Sequence, residues 1–412
     1  MCNIFFRNSF AQCILFDLNS EKGIFLHNPC YIKIIRMKKL VIISSLVAAV
    51  AFVVSCHKTT TTTPTGTQTL ELPATQYKYF TGNVSDSTAD AKATLGRVLF
   101  YDQTLSVNNG VSCASCHKQA LGFADNMALS MGFDGRPTLR NSKGIHTLLP
   151  NSSRMFFGTL DQMMTTMRTP LFWDGRSDNI VDLVKRPITN HIEMGINNVD
   201  QLVSKVNSIA YYPDLFNKAF GSSEVTMDKI SSALGAFMVS LNTGNSKFDL
   251  SLTKGGTLNS LEQRGKDLFF GTYNCANCHL VSTNSYSTED TNSFRDIGLD
   301  INYTDLGRGV VLGANTSNNK GKFRVPTLAN VALTAPYMHD GRYKTLDEVI
   351  EHYSHNVKGS DNLDPILRNS DGTPRKMNIP DADKQALIAF LNTMTDLTSI
   401  TDVRFSNPFK IK

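Results

Sequence analysis

The feature that most constrains this chain is a five-residue motif, Cys-x-x-Cys-His, which occurs twice. It reads CASCH from Cys113 to His117 and CANCH from Cys275 to His279. On a helix, residues at positions i, i+3 and i+4 share one face, so two thiols can bond the vinyl groups of one haem while the following imidazole reaches its iron. We therefore predict two covalently attached c-type haems, with His117 and His279 as proximal iron ligands.

The positions of the eight cysteines separate four motif thiols from the others. The thiols that would carry haem are Cys113, Cys116, Cys275 and Cys278. A disulfide, a thioredoxin-type dithiol and half of a zinc site are the other uses of such pairs. A thioredoxin motif would need a βαβ context, which is not indicated here, and a zinc site leaves the histidine directly after each pair unexplained. Haem attachment accounts for both histidines.

The first 56 residues have the features of a leader. Two lysines precede an apolar stretch, Leu40–Val54, which is short for a membrane span but typical of a signal peptide. The stretch leads into Val-Val-Ser-Cys, which resembles a bacterial lipobox and predicts Cys56 as the lipidated first residue of the mature protein. A plain secretory signal is the alternative. Met37 is then the expected initiator, and residues 57–75 form a flexible tether.

Charge excludes nucleic acid as a partner. The formal net charge is +5, but residues 1–55 carry six Lys and Arg against two acidic residues. The remainder is close to neutral, at about +1, and gives no electrostatic support for nucleic-acid binding. With 412 residues, the chain is long enough for two domains that each bury a core.

A longer repeat surrounds the two motifs and indicates a duplication. GRVLFYD precedes the first motif and GKDLFFG the second, while PLFWDGRSDNIVDLV and PYMHDGRYKTLDEVI follow them in gapless register. Asp-Gly is typical of a turn, and the apolar residues after it recur at helical spacing. Because strand signals are few, we expect an all-α chain of two tandem cytochrome c-type domains. Their expected bounds are residues 76–245 and 246–395, with a final helix at Asp381–Met394 and a tail at residues 396–412.

The motifs together resemble one known family. GVSCASCH, FWDGR, HIEM, YNCANCH, VPTLANVALTAPYMHDGR and LDEVIEHY are similar to the bacterial di-haem cytochrome c peroxidases, which include the MauG-like enzyme that matures methylamine dehydrogenase. The resemblance covers roughly residues 80 to 395. It implies a two-domain, all-α fold with a peroxidatic haem in the N-terminal domain, an electron-transfer haem in the C-terminal domain and a calcium ion between them.

The resemblance assigns roles to three residues outside the haem motifs. Trp173 matches the tryptophan between the haems, where an indole can relay an oxidising equivalent; a core tryptophan is the alternative. Glu193, twenty residues later, matches the active-site glutamate that moves a proton between peroxide oxygens and needs burial to hold its pKa near working pH. A surface or capping glutamate is the alternative there. His339 matches a histidine near the second haem, on a propionate or on the electron route, with a purely structural histidine as the alternative.

The implied calcium site consists of the Asn141 side chain and the backbone carbonyls of Thr334 and Pro336. Hard oxygen donors, completed by water, suit Ca²⁺. The residues after Asn141 read SKGIH where the family usually has Ser/Thr-Pro-Thr. We therefore expect this loop to differ locally.

The N-terminal site departs from the family at its distal ligand. Many members close this haem with a histidine about sixteen residues after the proximal one, where this chain has Phe133. No histidine occurs between His117 and His146, and a phenyl ring cannot ligate iron, so we predict an open or water-bound haem that needs no reductive activation. His146 could fill the role through a remodelled loop. Leu183 replaces a glutamine that members often carry near this site, so distal hydrogen bonding is also expected to differ.

The C-terminal site departs at its distal ligand as well. The position of the axial methionine in electron-transfer members, fourteen residues after His339, is Tyr353 here. The methylamine-dehydrogenase-maturing enzyme also has tyrosine there, and a phenolate lowers the potential of its iron. We predict Tyr353 as the distal ligand. The competing candidates are Met338, Met377, His352 and His355.

The sequence thus predicts a periplasmic peroxidase, held at a bacterial membrane by its lipid alone. It would reduce hydrogen peroxide to water with electrons from a small cytochrome or cupredoxin. These electrons would enter at the His279 haem and pass Trp173 to the His117 haem, where Glu193 assists cleavage of the oxygen–oxygen bond. One alternative is a MauG-like oxidase that modifies a protein, which both distal departures favour. Another is a non-catalytic di-haem electron carrier, and a homodimer is a candidate assembly.

Overall fold

A computed structural model shows a helix-rich chain. The residues it describes are 68–80, 86–146, 158–166, 170–241, 244–279, 294–313 and 317–411. Strands among these residues form two short antiparallel pairs, so the prediction of a helix-rich fold is confirmed. The leader, Cys56 and most of the tether lie outside the described residues. Within them, no helix is both long enough and apolar enough to cross a membrane.

The helices and strands are short and are joined by long loops. The α-helices are α1 (Ala89–Tyr101), α2 (Cys113–Cys116), α3 (Leu160–Thr166), α4 (Ile180–Thr189), α5 (Val199–Asn207), α6 (Tyr212–Phe220), α7 (Met227–Ser240), α8 (Lys247–Thr253), α9 (Ser260–Asp267), α10 (Arg308–Val311), α11 (Leu346–Glu351), α12 (Asp381–Asn392) and α13 (Leu397–Thr401). The strands are β1 (Gln68–Leu70), β2 (Phe294–Arg295), β3 (Phe323–Arg324) and β4 (Phe409–Ile411). Two π-helical turns follow α9 and α11 directly, at Leu268–Thr272 and His352–Asn356.

Each half of the chain is built on a helix pair that crosses at a glycine. Gly96 of α1 faces Ala233 of α7, and Gly265 of α9 faces Ala386 of α12. A Cβ atom on either glycine would overlap the carbonyl oxygen of the facing alanine. Because glycine lacks that atom, the two backbones can approach closely. The same crossing therefore occurs once near each haem motif.

Two larger hydrophobic cores form around these helix pairs. The first contains α1 and α7 side chains such as Leu95, Phe100 and Phe237, none of them more than 1% exposed. The second draws on α8 and α12 through Phe248 and Phe390. Each core also receives a cysteine of the nearer motif as a partly buried neighbour. Burial of this apolar surface is the main stabilising contribution to both halves.

The end of the chain returns to the first core. β4 pairs antiparallel with β1, which starts the described part of the chain. Phe405 and Phe409 are buried in the first core, and Tyr101 Oη of α1 donates to the Phe405 carbonyl at 2.7 Å. Residues 396–411 therefore cover the core that the first half of the chain builds.

Both copies of the repeated phrase fold alike. In each, an isolated β-bridge closes the turn, and the glycine of Asp-Gly lies in the left-handed region, with φ of 68° at Gly175 and 67° at Gly341. A helix follows each turn, α4 after the first and α11 after the second. Trp173 and His339 therefore occupy equivalent positions in equivalent turns.

Candidate haem sites

The first Cys-x-x-Cys-His motif forms the short helix α2 and places its histidine at the C-cap. His117 Nδ1 lies 2.9 Å from the Phe123 carbonyl oxygen. A proton on Nδ1 that is donated to this carbonyl leaves Nε2 to bind a metal. Burial lowers the pKa of His117, which favours the neutral imidazole that a metal requires.

The second motif repeats this arrangement in a 3₁₀ turn, Cys275–Asn277. His279 Nδ1 lies 3.2 Å from the Pro326 carbonyl oxygen, and burial lowers the pKa of His279 to about 4. Burial also raises the pKa of the Cys275 thiol to about 12. In both motifs burial favours the neutral imidazole, and a backbone carbonyl orients the ring.

A cavity beside the second motif has a lining that suits a haem. Its volume is about 250 Å³, and part of it is open to solvent. Cys275, Cys278 and His279 line it together with apolar side chains such as Leu346 and Leu387. Across the described ranges, no three His, Cys, Asp or Glu side chains gather to hold a bare metal ion. Two thiols and one neutral imidazole on an apolar wall suit a thioether-bound haem.

Three of the five predicted distal candidates line this cavity. Tyr353 lies in the π-helical turn after α11, and Met338 and Met377 lie on other parts of the wall. Burial raises the pKa of Tyr353 well above its usual value, so the phenol stays protonated unless a cation binds it.

The two histidine candidates face elsewhere. His352 Nε2 lies 2.8 Å from the Ile297 carbonyl oxygen, and its Nδ1 lies 3.2 Å from Tyr343 Oη. His355 is exposed, with Nδ1 2.8 Å from a carboxylate oxygen of Glu351. Neither histidine is part of the cavity lining. The structure therefore favours Tyr353 and the two methionines over both histidines.

Glu193 lies close to the first motif. Burial raises the pKa of Glu193, and the Arg176 guanidinium opposes this shift. Burial raises the pKa of the motif thiols, to about 12 at Cys113 and about 11 at Cys116, and the charge of Glu193 contributes to both shifts. Asn190 Nδ2 donates to Glu193 Oε1 at 3.0 Å. The predicted acid–base residue is therefore beside the thiols and is held by an amide.

Phe133 packs against the loop that carries Glu193. Its backbone N–H donates to the Glu193 carbonyl at 3.0 Å, and its ring contacts Gly195. Leu183, which stands where family members often carry a glutamine, lies on α4 in the first hydrophobic core. His146 has both ring nitrogens against backbone carbonyls rather than toward this loop.

Trp173 and His339 are joined through one residue. Trp173 Nε1 donates to the Asn141 carbonyl at 2.9 Å, and the Asn141 N–H donates to the His339 carbonyl at 2.7 Å. The His339 ring stacks on Phe323 with centroids 3.7 Å apart, and Lys143 Nζ lies 5.7 Å from the centroid of the Trp173 ring. Trp173 and His339 both line the cavity of the second motif.

The three predicted calcium ligands line one cavity wall. Asn141, Thr334 and Pro336 all border the cavity of the second motif. Asn141 Nδ2 donates to the carbonyls of Met127 and Ala128, both at 3.2 Å, which fixes its side chain. All three positions therefore border the same cavity.

The sequence does not predict an ion-pair network behind the first turn. Arg140 Nη1 lies 2.5 Å from Asp174 and its Nε 2.7 Å from Asp305. Arg176, which faces Glu193, lies 3.1 Å from the same Asp174 carboxylate. The repeated Asp-Gly-Arg indicates the Arg176–Asp174 pair, since Arg342 pairs with its own Asp in the same way at 2.6 Å. Arg140 carries no comparable signal.

Comparisons with known proteins agree with this geometry. A family model described as di-haem cytochrome c peroxidase matches residues 90–256. Methylamine utilization protein MauG of Methylorubrum extorquens is 33% identical over 74% of this chain and 78% of that protein. Cytochrome c551 peroxidase of Nitrosomonas europaea is 33% identical over 63% of this chain and 71% of that protein. The structure of a MauG-like protein associated with microbial copper homeostasis matches with a TM-score of 0.67 and 29% identity, covering 82% of this chain and 99% of that one. This chain therefore belongs to the di-haem cytochrome c peroxidase family.

Proposed function

We propose that this protein reduces hydrogen peroxide to water with electrons from a small cytochrome or cupredoxin. The family implies two c-type haems, and a bound haem supplies an iron that accepts and delivers electrons. The residues that would hold them are Cys113, Cys116 and His117 at the first site and Cys275, Cys278 and His279 at the second. The observation that carries the proposal is the half-buried carboxyl of Glu193, which has a raised pKa and lies near the first motif.

Glu193 is the group that would move protons. An acid–base residue works best when its pKa is close to the working pH, and burial shifts Glu193 in that direction. Its carboxylate accepts a proton from one peroxide oxygen and returns it to the other, which then leaves as water. Two electrons and two further protons complete the conversion of one peroxide to two waters.

Trp173 would carry electrons between the sites. Its ring lines the second cavity, and its N–H binds the Asn141 carbonyl. The next residue, Ser142, lies 3.3 Å from Nδ1 of His117. The indole therefore has a short chain of contacts to the ligand of the first site while it borders the second.

The remaining assignments rest on the sequence. We propose two cytochrome c-type domains, at residues 76–245 and 246–395, a calcium ion at Asn141, Thr334 and Pro336, and Tyr353 as the distal ligand of the second haem. Export to the periplasm, a lipid on Cys56 and a homodimer belong to the same proposal.

The Glu193→Gln variant tests the proposed chemistry. We expect peroxide-dependent oxidation of a reduced small cytochrome c to fall by about 10² to 10⁴, the usual contribution of a positioned acid–base group. Haem content and visible spectra should stay as in the unmodified protein. Glu224→Gln, at an exposed carboxyl, serves as the control. Unchanged turnover in the Glu193 variant would exclude this residue as the proton carrier.

A MauG-like oxidation of a protein is the second candidate. Tyr353 at the cavity wall and the similarity to MauG favour it. Rapid peroxide consumption with a reduced cytochrome would exclude this activity, whereas poor turnover with a long-lived oxidised protein would support it.

Electron paramagnetic resonance of the unmodified protein and of Tyr353→Phe reports the distal ligands. One high-spin ferric signal would also exclude a non-catalytic carrier, which needs two six-coordinate irons.

A further inference from the structure

Residues 142–146, SKGIH, run between the two haem sites and are called here the bridging segment. This is the loop that the family resemblance predicts to differ locally. Ser142 Oγ donates to the Cys116 carbonyl at 2.7 Å and lies 3.3 Å from His117 Nδ1. The start of the bridging segment therefore contacts the first motif directly.

His146, at the other end of the bridging segment, contacts both halves of the chain. It is 3% exposed. Its Nδ1 lies 2.8 Å from the Gly122 carbonyl oxygen and its Nε2 lies 2.6 Å from the Ala329 carbonyl oxygen. A carbonyl oxygen only accepts, so a neutral imidazole donates to one of the two carbonyls and packs against the other, and it donates to both only when both ring nitrogens carry a proton. One buried imidazole thereby joins two backbone segments that are 207 residues apart in the sequence.

Each of these carbonyls belongs to a loop that orients a proximal histidine. Gly122 precedes Phe123, whose carbonyl is 2.9 Å from His117 Nδ1. Ala329 lies three residues after Pro326, whose carbonyl is 3.2 Å from His279 Nδ1.

The surroundings of the ring are closely packed. A Cβ on Gly144 would lie 2.9 Å from His146 Cε1 and 3.1 Å from the Gly122 carbonyl oxygen. A larger residue at Gly144 would therefore collide with the His146 ring and with this carbonyl. The contact is tight enough to transmit a displacement from one loop to the other.

We propose that His146 is a positioning residue that couples the two haem sites, by fixing the loop that orients His117 to the loop that orients His279. The inference rests on the proposed binding of haem at both motifs. A carbonyl that accepts from Nδ1–H makes the imidazole a stronger ligand, which favours the oxidised iron and lowers its reduction potential. Because one side chain holds both loops, both reduction potentials depend on it.

Reduction potentials of the two haems in the holoprotein test this proposal. Each haem is followed through its own electron paramagnetic resonance signal during a redox titration without peroxide or donor. His146→Leu removes both polar contacts, and we expect both potentials to rise. Ser142→Ala changes a contact on the His117 side alone and should move the first potential only. His355→Leu, at an exposed histidine, should move neither.

Two results would overturn the coupling. One is a folded His146→Leu protein with both potentials unchanged, and the other is a shift confined to one haem. If the leucine variant does not incorporate haem, His146→Gln decides the question. Glutamine donates from one nitrogen and cannot bind carbonyls on opposite sides of the ring, so the link between the two loops is broken and both potentials should rise. A shift confined to one haem, or no shift at all, would contradict the proposal. Because no peroxide is present, this outcome is independent of whether the chain turns peroxide over.

Discussion

At the scale of single residues, the fold disfavours the charged form of Glu193 near the first site. Burial raises the pKa of its carboxyl above the ordinary value of 4.5, with Arg176 in opposition. Between the unfolded and folded pKa values, the folded protein holds a proton that the unfolded chain has released. Stability is therefore full below the unfolded pKa and falls as pH rises through the folded pKa. The carboxylate that we propose as the proton carrier therefore lowers the stability of the folded protein at neutral pH.

This cost predicts a pH-dependent gain in stability for Glu193→Gln. At pH 7 the variant should unfold at a higher temperature than the unmodified protein, although its turnover is lower. Below about pH 4, where the glutamate is protonated in both states, the two melting temperatures should converge. Thermal unfolding of the holoproteins across this range measures the effect. A gain that is constant with pH would show that burial of the charge is not its cause.

Trp173 is the only tryptophan of the chain, and its substitution separates attachment from electron flow. Trp173→Phe keeps a ring but loses the N–H that binds Asn141. We expect both haems to be attached, while donor-driven peroxide turnover falls by about tenfold or more, which corresponds to at least 1.4 kcal/mol of barrier. Stopped-flow spectroscopy would follow electrons from the second haem to the first. Intact turnover would contradict the relay role.

Helices were predictable where periodicity or a motif defines them. The final helix was expected at Asp381–Met394; a helix is observed at Asp381–Asn392, but the short α13, Leu397–Thr401, follows it. The spacing of Cys-x-x-Cys-His predicted a helix at each motif. The first motif forms an α-helical turn at Cys113–Cys116, whereas the second forms a 3₁₀ turn at Cys275–Asn277. The π-helical turn that contains Tyr353 had no signal, because a single wider turn barely changes the apolar spacing.

The glycine crossings give a prediction for the helix pairs. Gly96→Ala and Gly265→Ala would each place a Cβ on a facing carbonyl oxygen, so we expect each to destabilise the protein by about 1–3 kcal/mol through overpacking. Gly271→Ala is the matched control, since no heavy atom lies within 4 Å of the added Cβ. Denaturant unfolding compares the three. Equal effects at Gly265 and Gly271 would show that the crossing does not require glycine.

For the molecule as a whole, Arg140 links segments that are far apart in the sequence. Its guanidinium is 16% exposed and pairs with both Asp174 and Asp305. Asp174 keeps its pair with Arg176, but the Asp305 carboxylate loses its ion-pair partner, so Arg140→Met should cost about 3 kcal/mol. Arg136→Met, which breaks a pair whose side chains are 52% and 34% exposed, should cost no more than about 1 kcal/mol. Urea unfolding measures the loss of stability in both variants. Equal losses in the free energy of unfolding would contradict the role of Arg140.

Long-range contacts mark the limit of what the sequence could predict. The duplicated motifs indicated two haem sites and the residues around them, because each motif combines its ligands within a few positions. The Arg140 network and the contacts of His146 join residues that share no pattern. Such pairings follow from packing in three dimensions rather than from local periodicity.

The return of residues 396–411 to the first core has a consequence for the timing of biogenesis. A ribosome makes the chain from its first residue onward, so α1 and α7 exist long before Phe405 and Phe409 are added. Until then Tyr101 lacks the carbonyl it binds, and β1 lacks the strand it pairs with. The half of the molecule that is synthesised first is therefore the half that is completed last, and CASCH is on the chain throughout that interval.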